Sequence, residues 1–293
     1  MSNELVTGPG IYPAIPASQY HADRLCVAPT LSASIAKLLI TQSPMHARAA
    51  HPRLTQQPTH EESDVMDTGA IAHALLLEGE NIAAVIDAPD YRTKAAREAR
   101  DAARAAGKVP IKIAQMSPIE DMLTALREQL AAHKDAHNAF SEGWPETTLI
   151  WQEPSNGAWC RARLDWLSKN HTWVDDYKTT GGSASPDVLT RKVFTDGWDV
   201  QAAFYLRGLK MLDPECEPKF RFVVQETERP FGVCVVGLNE YALECAARKV
   251  DYAINEWGHC LRHDQWPGYT NRTAIVELPQ FEEQRWLAKE AEL

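Results

Sequence analysis

No stretch of this chain approaches the roughly 18 consecutive apolar residues that a membrane-spanning helix needs, and its start lacks a basic segment followed by an apolar run. The expectation is a protein with no membrane partner, working in the cytoplasm. Cysteine is sparse and scattered: Cys26, Cys160, Cys216, Cys234, Cys245 and Cys260 form no C-x-x-C pair, which argues against a disulfide framework or a metal centre built on grouped thiolates. Basic charge is in deficit as well. Thirty Lys and Arg face 40 Asp and Glu, a formal net charge of −10, so any contact with a polyanion must come from local clusters. Internal repeats and low-complexity tracts are also missing.

What is present suits one sizeable core: 293 residues, 44% hydrophobic. Residues 1–28, rich in Pro and Gly, read as a partly ordered arm. Residues 29–270 read as a single domain, and 271–293 as an acidic tail that either contacts a neighbouring subunit or forms a frayed terminal helix. A Ser32 or Ser34 cap opens a helix through Leu39, and Ser43-Pro44 opens another with Pro at its first position. His51 to Ser63 is loop-like. Ser117-Pro118-Ile119-Glu120 reads as a capping box for a helix to about His137. Strands follow at Glu146 to Glu153 and Cys160 to Leu167, turned by Ser155-Asn156-Gly157, with a third at Thr172 to Tyr177. Helices near Asp187 to Val193 and Val200 to Leu212, strands Phe220 to Glu226 and Phe231 to Leu238, and a helix from about Tyr241 to Arg262 complete the order. The class is α/β, a central mixed β-sheet flanked by helices.

The most informative stretch is Val174-Asp175-Asp176-Tyr177-Lys178, with Asp165 eleven residues before Asp176. Alternation on either side of Ser168-Lys169-Asn170-His171 indicates a hairpin. If Asn170-His171 is its loop, Lys169 pairs with Thr172, and counting outward sets Asp165 opposite Asp176 with Cβ atoms roughly 4.5–5.5 Å apart. Period-2 alternation puts Lys178 on the same face. Two adjacent carboxylates repel, and a divalent cation with hard oxygen ligands relieves the repulsion, leaving the lysine to orient water or neutralise a phosphate. The residues alone fit equally an exposed strand pair with an Asp–Lys ion pair.

The flanks add candidates. Asp67 or Thr68 caps a helix ending at Gly79, with His73 one turn after Gly69. His73 reads as a core histidine or as a third ligand. Gln201 and Tyr205 share a helix face. Arg161 and Arg163 share the Asp165 face by alternation and are candidates for phosphate contacts. Lys94, Arg97, Arg100, Arg104 and Lys108 recur at helical spacing, but Glu98 and Asp101 dilute that stripe, and a solvated face is the better reading.

In order, Gly-x-x-x-His, the Asp165 strand, Asp-x-Lys and Gln-x-x-x-Tyr resemble the RecB-like branch of the PD-(D/E)XK nuclease superfamily. Further matches are similar to nuclease domains of the RecE (exodeoxyribonuclease VIII) type: Leu31-Ser32-Ala33-Ser34, Ser43-Pro44-Met45-His46, Glu153 ahead of Cys160 to Asp165, Gln225-Glu226 and Trp266-Pro267-Gly268-Tyr269. The resemblance runs from about Tyr20 to Tyr269. It implies a restriction-endonuclease-like core and a metal set of His73, Asp165, Asp176 and the Tyr177 carbonyl. Lys178 would be the catalytic lysine, with Gln201 and Tyr205 beside it and Glu153 as a further acidic position. It also implies two Mg²⁺ ions, with Mn²⁺ able to substitute, and degradation of linear double-stranded DNA ends, 5′ to 3′, in recombination by strand annealing. A ring-like homo-oligomer and a RecT-type single-strand annealing partner complete the expectation. An endonuclease, a single-strand-specific nuclease or a non-catalytic DNA-binding protein could use the same framework. Scattered cysteines argue against the superfamily's iron–sulfur members.

Overall fold

The computed structural model describes residues 6, 8–55, 68–79 and 83–292. In chain order these form β1 (Gly10–Tyr12), α1 (Ala17–His21), α2 (Ala33–Thr41), α3 (Pro44–Ala50), α4 (Thr68–Glu78), β2 (Ala83–Ile86), α5 (Lys94–Ala105), β3 (Val109–Lys112), α6 (Ile113–Ala131), β4 (Gly143–Gln152), β5 (Trp159–Ser168), β6 (Trp173–Thr180), α7 (Pro186–Thr195), α8 (Trp198–Leu212), β7 (Lys219–Glu226), β8 (Val233–Val236), α9 (Glu240–His263) and α10 (Gln280–Glu290). The expected cap Asp67 and the loop segment 56–63 lie outside the described residues. No described helix is long and apolar enough to cross a membrane.

Six strands build one mixed sheet in the order β1-β4-β5-β6-β7-β8, in which β6 and β7 run parallel and every other neighbouring pair is antiparallel. The parallel pair requires a crossover, which α7 and α8 supply. One core joins α2, α8 and α9 to the sheet through Leu149, Trp151, Phe204, Phe222 and Trp257. A second joins α4 and α6 through Ile71, Met122, Leu126, Tyr177 and Val223. The sheet is thus covered by helices on both faces, as its α/β pattern requires.

Caps and turns follow local chemistry. The Ser32 hydroxyl accepts the Ile35 amide at the start of α2, and Asn239 accepts Ala242 N–H at the start of α9. Gly157 takes φ +74° in the β4–β5 turn, and Asn156 donates to Ile254 O of α9, tying that hairpin to the helical layer. Segments far apart in sequence meet: Met45 N–H donates to Pro267 O, and the His46 and Tyr269 rings lie 5.2 Å apart.

Several elements differ from expectation. α6 begins at Ile113, with the Lys112 amide donating to Gln115 Oε1, so Pro118 lies inside the helix and Ser117 is not its cap. Strands β2 and β3, a parallel pair bridged by α5, were not anticipated, and neither was β1 within the N-terminal arm. In the tail, α10 contributes no buried residue, and Phe281, Trp286 and Leu287 are exposed.

Candidate metal centre

The β5–β6 register is the one the alternation predicts: Trp166 pairs with Asp175 and Leu167 with Val174, so Asp165 and Asp176 are the next positions in register, just beyond the last ladder pair. The connection is longer than the expected two-residue loop: β5 ends at Ser168 and β6 begins at Trp173, and the turn is held by Ser168 O accepting the His171 amide and Ser168 Oγ accepting the Trp173 amide. Regular pairing stops at Asp165. There the carboxylate itself takes the place of a backbone acceptor, Oδ2 receiving the Tyr177 amide at 2.8 Å. The ladder ends where the acidic groups sit, and a neighbouring helix packs over that position.

That helix is α4. His73 Nε2 lies 3.0 Å from Asp165 Oδ2. Burial opposes the imidazolium, but the hydrogen bond and charge of Asp165, with Glu146 and Asp176 behind it, outweigh burial and raise the His73 pKa. For Asp165, burial is again outweighed, by His73, Lys178 and the Tyr177 amide, and its pKa is lowered.

Asp176 is enclosed on the other side. It is 1% exposed, Gln201 Nε2 of α8 donates to its Oδ1 at 2.6 Å, and the Lys178 ammonium pairs with its Oδ2. Tyr205, one turn further along α8, is hydrogen-bonded to Gln201 and buried. Burial and the adjacent Asp165 charge push the Asp176 pKa up to about 7, against the pull of Lys178. The Lys178 pKa is itself raised: burial acts against the ammonium, but Asp176 and Asp165 prevail and keep it charged. Its neighbour in sequence behaves differently. Asp175 points away to a buried pair with Arg221 Nε (2.6 Å) and accepts the Phe140 amide, so only the second aspartate of the pair serves the site.

Among the described residues, the donor atoms that converge to within 4.8 Å of one another come from His73, Asp165 and Glu146. Glu146 was not anticipated. It lies in β4 at the register position facing Asp165, with Pro145 paired to Trp166 and Thr147 to Leu164 on either side, and takes φ +50°. One imidazole and hard carboxylate oxygens form a donor set that suits Mg²⁺ or Mn²⁺; Asp176, expected in that set, lies outside this cluster, with its oxygens engaged by Gln201 and Lys178.

Three sequence candidates lie elsewhere or are already engaged. Glu153, at the end of β4, is buried between Trp151 Nε1 (2.8 Å) and the Arg207 guanidinium (2.7 Å to each oxygen), which makes it part of the α8–sheet packing and not of the metal centre. Arg161 is 4% exposed and donates to Asp23, Thr30 O and Thr30 Oγ1, so it anchors the N-terminal arm and has no free face for phosphate. Arg163 does border the site, but its Nε pairs with Glu146 and its Nη1 donates to Ile15 O at 2.8 Å. Alternation gives a side chain's face. It does not give its partner.

The comparisons with known proteins agree with this architecture. No curated protein matches the chain. A solved structure from Eubacterium rectale, described as a "putative exonuclease", superposes with a TM-score of 0.57 at 10% identity, covering 92% of this chain and 98% of that one, and thereby establishes a shared fold. The sequence model for a PDDEXK-like domain of unknown function (DUF3799) matches residues 32–279, most of the chain, and the protein belongs to that family.

Proposed function

We propose that the protein is a metal-dependent deoxyribonuclease that degrades linear double-stranded DNA from its ends. The observation that carries this reading is the enclosure of Asp165, Asp176 and Lys178 at the point where the β5–β6 ladder ends, with His73 and Gln201 reaching in from opposite helical layers. A protein without turnover has no chemical need for a repelling carboxylate pair held beside a buried ammonium.

His73, Asp165, Asp176 and the Tyr177 carbonyl would hold the divalent ion, Mg²⁺ with Mn²⁺ as substitute and two ions on the family pattern. Bound there, the metal supplies Lewis-acid polarisation of the phosphate and a lowered water pKa. The chain's own groups do the rest. Lys178 holds its proton and offers an ammonium to the attacking water or to the charge developing on the scissile phosphate. Gln201 fixes one Asp176 oxygen, and Tyr205 fixes Gln201. Hydrolysis adds the water oxygen to phosphorus as the P–O bond breaks, with no covalent enzyme intermediate.

Resemblance to RecE-type domains extends the reading to 5′ to 3′ digestion, a ring-like homo-oligomer threading DNA, and cooperation with a RecT-type annealing protein in recombination; the cytoplasmic setting is carried by the sequence pattern alone. Incubation with linear and covalently closed duplex DNA in Mg²⁺ separates the possibilities. Loss of the linear form alone is expected. Cleavage of the circle would favour an endonuclease, and cleavage confined to single strands would replace the duplex substrate.

A further inference from the structure

His73 is flanked by carboxylates on both of its ring nitrogens. Nε2 is 3.0 Å from Asp165 Oδ2, while Nδ1 faces Glu146 Oε1 at 3.9 Å, within ion-pair reach but longer than a hydrogen bond. The other Glu146 oxygen is held by Arg163 Nε, and the Arg163 Nη1 is in turn fixed on Ile15 O. Glu146 cannot drift. Its backbone is in the left-handed region at φ +50°, a conformation that a residue other than glycine adopts only when its surroundings enforce it.

A neutral imidazole has one N–H and one lone pair, and the group facing the N–H decides which nitrogen is free to bind a metal. A ligating histidine usually donates its second N–H to a carboxylate or carbonyl, and loss of that partner typically costs 10–100-fold in metal affinity. We infer that Glu146 is a positioning residue for the metal centre: held by Arg163, it faces Nδ1 of His73 and would accept from that N–H when a metal replaces the Nε2–Asp165 hydrogen bond, leaving the Nε2 lone pair for the ion. This inference rests on the metal-site reading above and adds a residue that the motif pattern does not contain. One donor atom of Glu146 also lies within 4.8 Å of those of His73 and Asp165; its effect is exerted on the Nδ1 side of the ring, and the Nδ1–H signal separates that role from direct ligation.

The test is Mn²⁺ affinity by calorimetry without DNA, together with ¹⁵N-resolved NMR of the His73 ring in saturating Mg²⁺. Glu146→Ala is expected to weaken Mn²⁺ 10–100-fold and to lose a protected Nδ1–H signal that the native protein shows. Because that variant also removes a negative charge, Glu146→Ala combined with Arg163→Met serves as the charge-balanced control and is expected to stay weak, with both variants checked for folding by circular dichroism. Native affinity in either variant, or an unchanged Nδ1–H signal in Glu146→Ala, overturns the inference. A native protein that binds no Mn²⁺ at all would overturn the metal site itself, and the inference with it.

Discussion

Replacing Asp176 by Asn in metal-free protein should stabilise the fold at alkaline pH. Asp176 is 1% exposed, and its pKa is pushed up to about 7 by burial and the Asp165 charge. An aspartate in the unfolded chain titrates near 3.8. The folded state therefore binds this proton more tightly than the unfolded state. Stability from this group is fully present below the unfolded pKa and is lost as pH rises through 7. Roughly three pKa units at 1.36 kcal/mol each set a ceiling of about 4 kcal/mol lost by pH 8, a figure that already includes the attraction of Lys178. Asn mimics the protonated acid without titrating and can still accept from Gln201. A gain of about 1–4 kcal/mol at pH 8 in EDTA is expected, shrinking toward pH 5 and absent below about pH 4. Denaturant melts of both proteins across that range measure it. A variant less stable than the native protein at pH 8, or a pH-independent difference, would refute the electrostatic reasoning.

Three further outcomes follow from the geometry. Arg207→Ala should destabilise the fold by about 3 kcal/mol, because it strands the buried Glu153 carboxylate, while leaving Mn²⁺ affinity unchanged; a shift in metal affinity in calorimetry would return Glu153 to the metal centre. Gly208→Ala should cost about 1–3 kcal/mol, since its methyl group would lie 2.6 Å from the Trp151 ring; an unchanged thermal midpoint would contradict that packing. Asp175→Asn should leave metal affinity intact and lower stability by weakening the buried Arg221 pair, which a combined calorimetric and denaturant measurement distinguishes from the opposite pattern expected of Asp176→Asn.

The register of the central hairpin was legible because period-2 alternation on both sides of a polar break leaves few ways to pair the strands, and that register picks Asp176 over Asp175. His73, Gln201 and Tyr205 were legible only as parts of an ordered motif. Each alone is an ordinary helix position. Glu146 was not legible: a single glutamate after Trp144-Pro145 reads as a strand start, and its role arises from three adjacent strands meeting His73 in space. The anchoring role of Arg161 is not legible because its partner, Asp23, lies 138 residues away, beyond any local pattern. Ser117-Pro118 resembled a helix start because proline is favoured in the first turn. Yet β3, held by its parallel pairing with β2, runs directly into α6, so the helix starts at Ile113 and not at Pro118. Those two strands are not legible because four residues each, around an Ala-rich helix, carry too little periodicity.

The most direct test of the central claim is hydrolysis of end-labelled duplex DNA by native protein and Lys178→Ala across a Mg²⁺ titration, with Mn²⁺ binding measured on the same samples. Native turnover that EDTA abolishes, alongside a Lys178→Ala variant that binds metal but does not cleave, is the expected result. Metal-independent cleavage, or full activity without Lys178, would contradict the account.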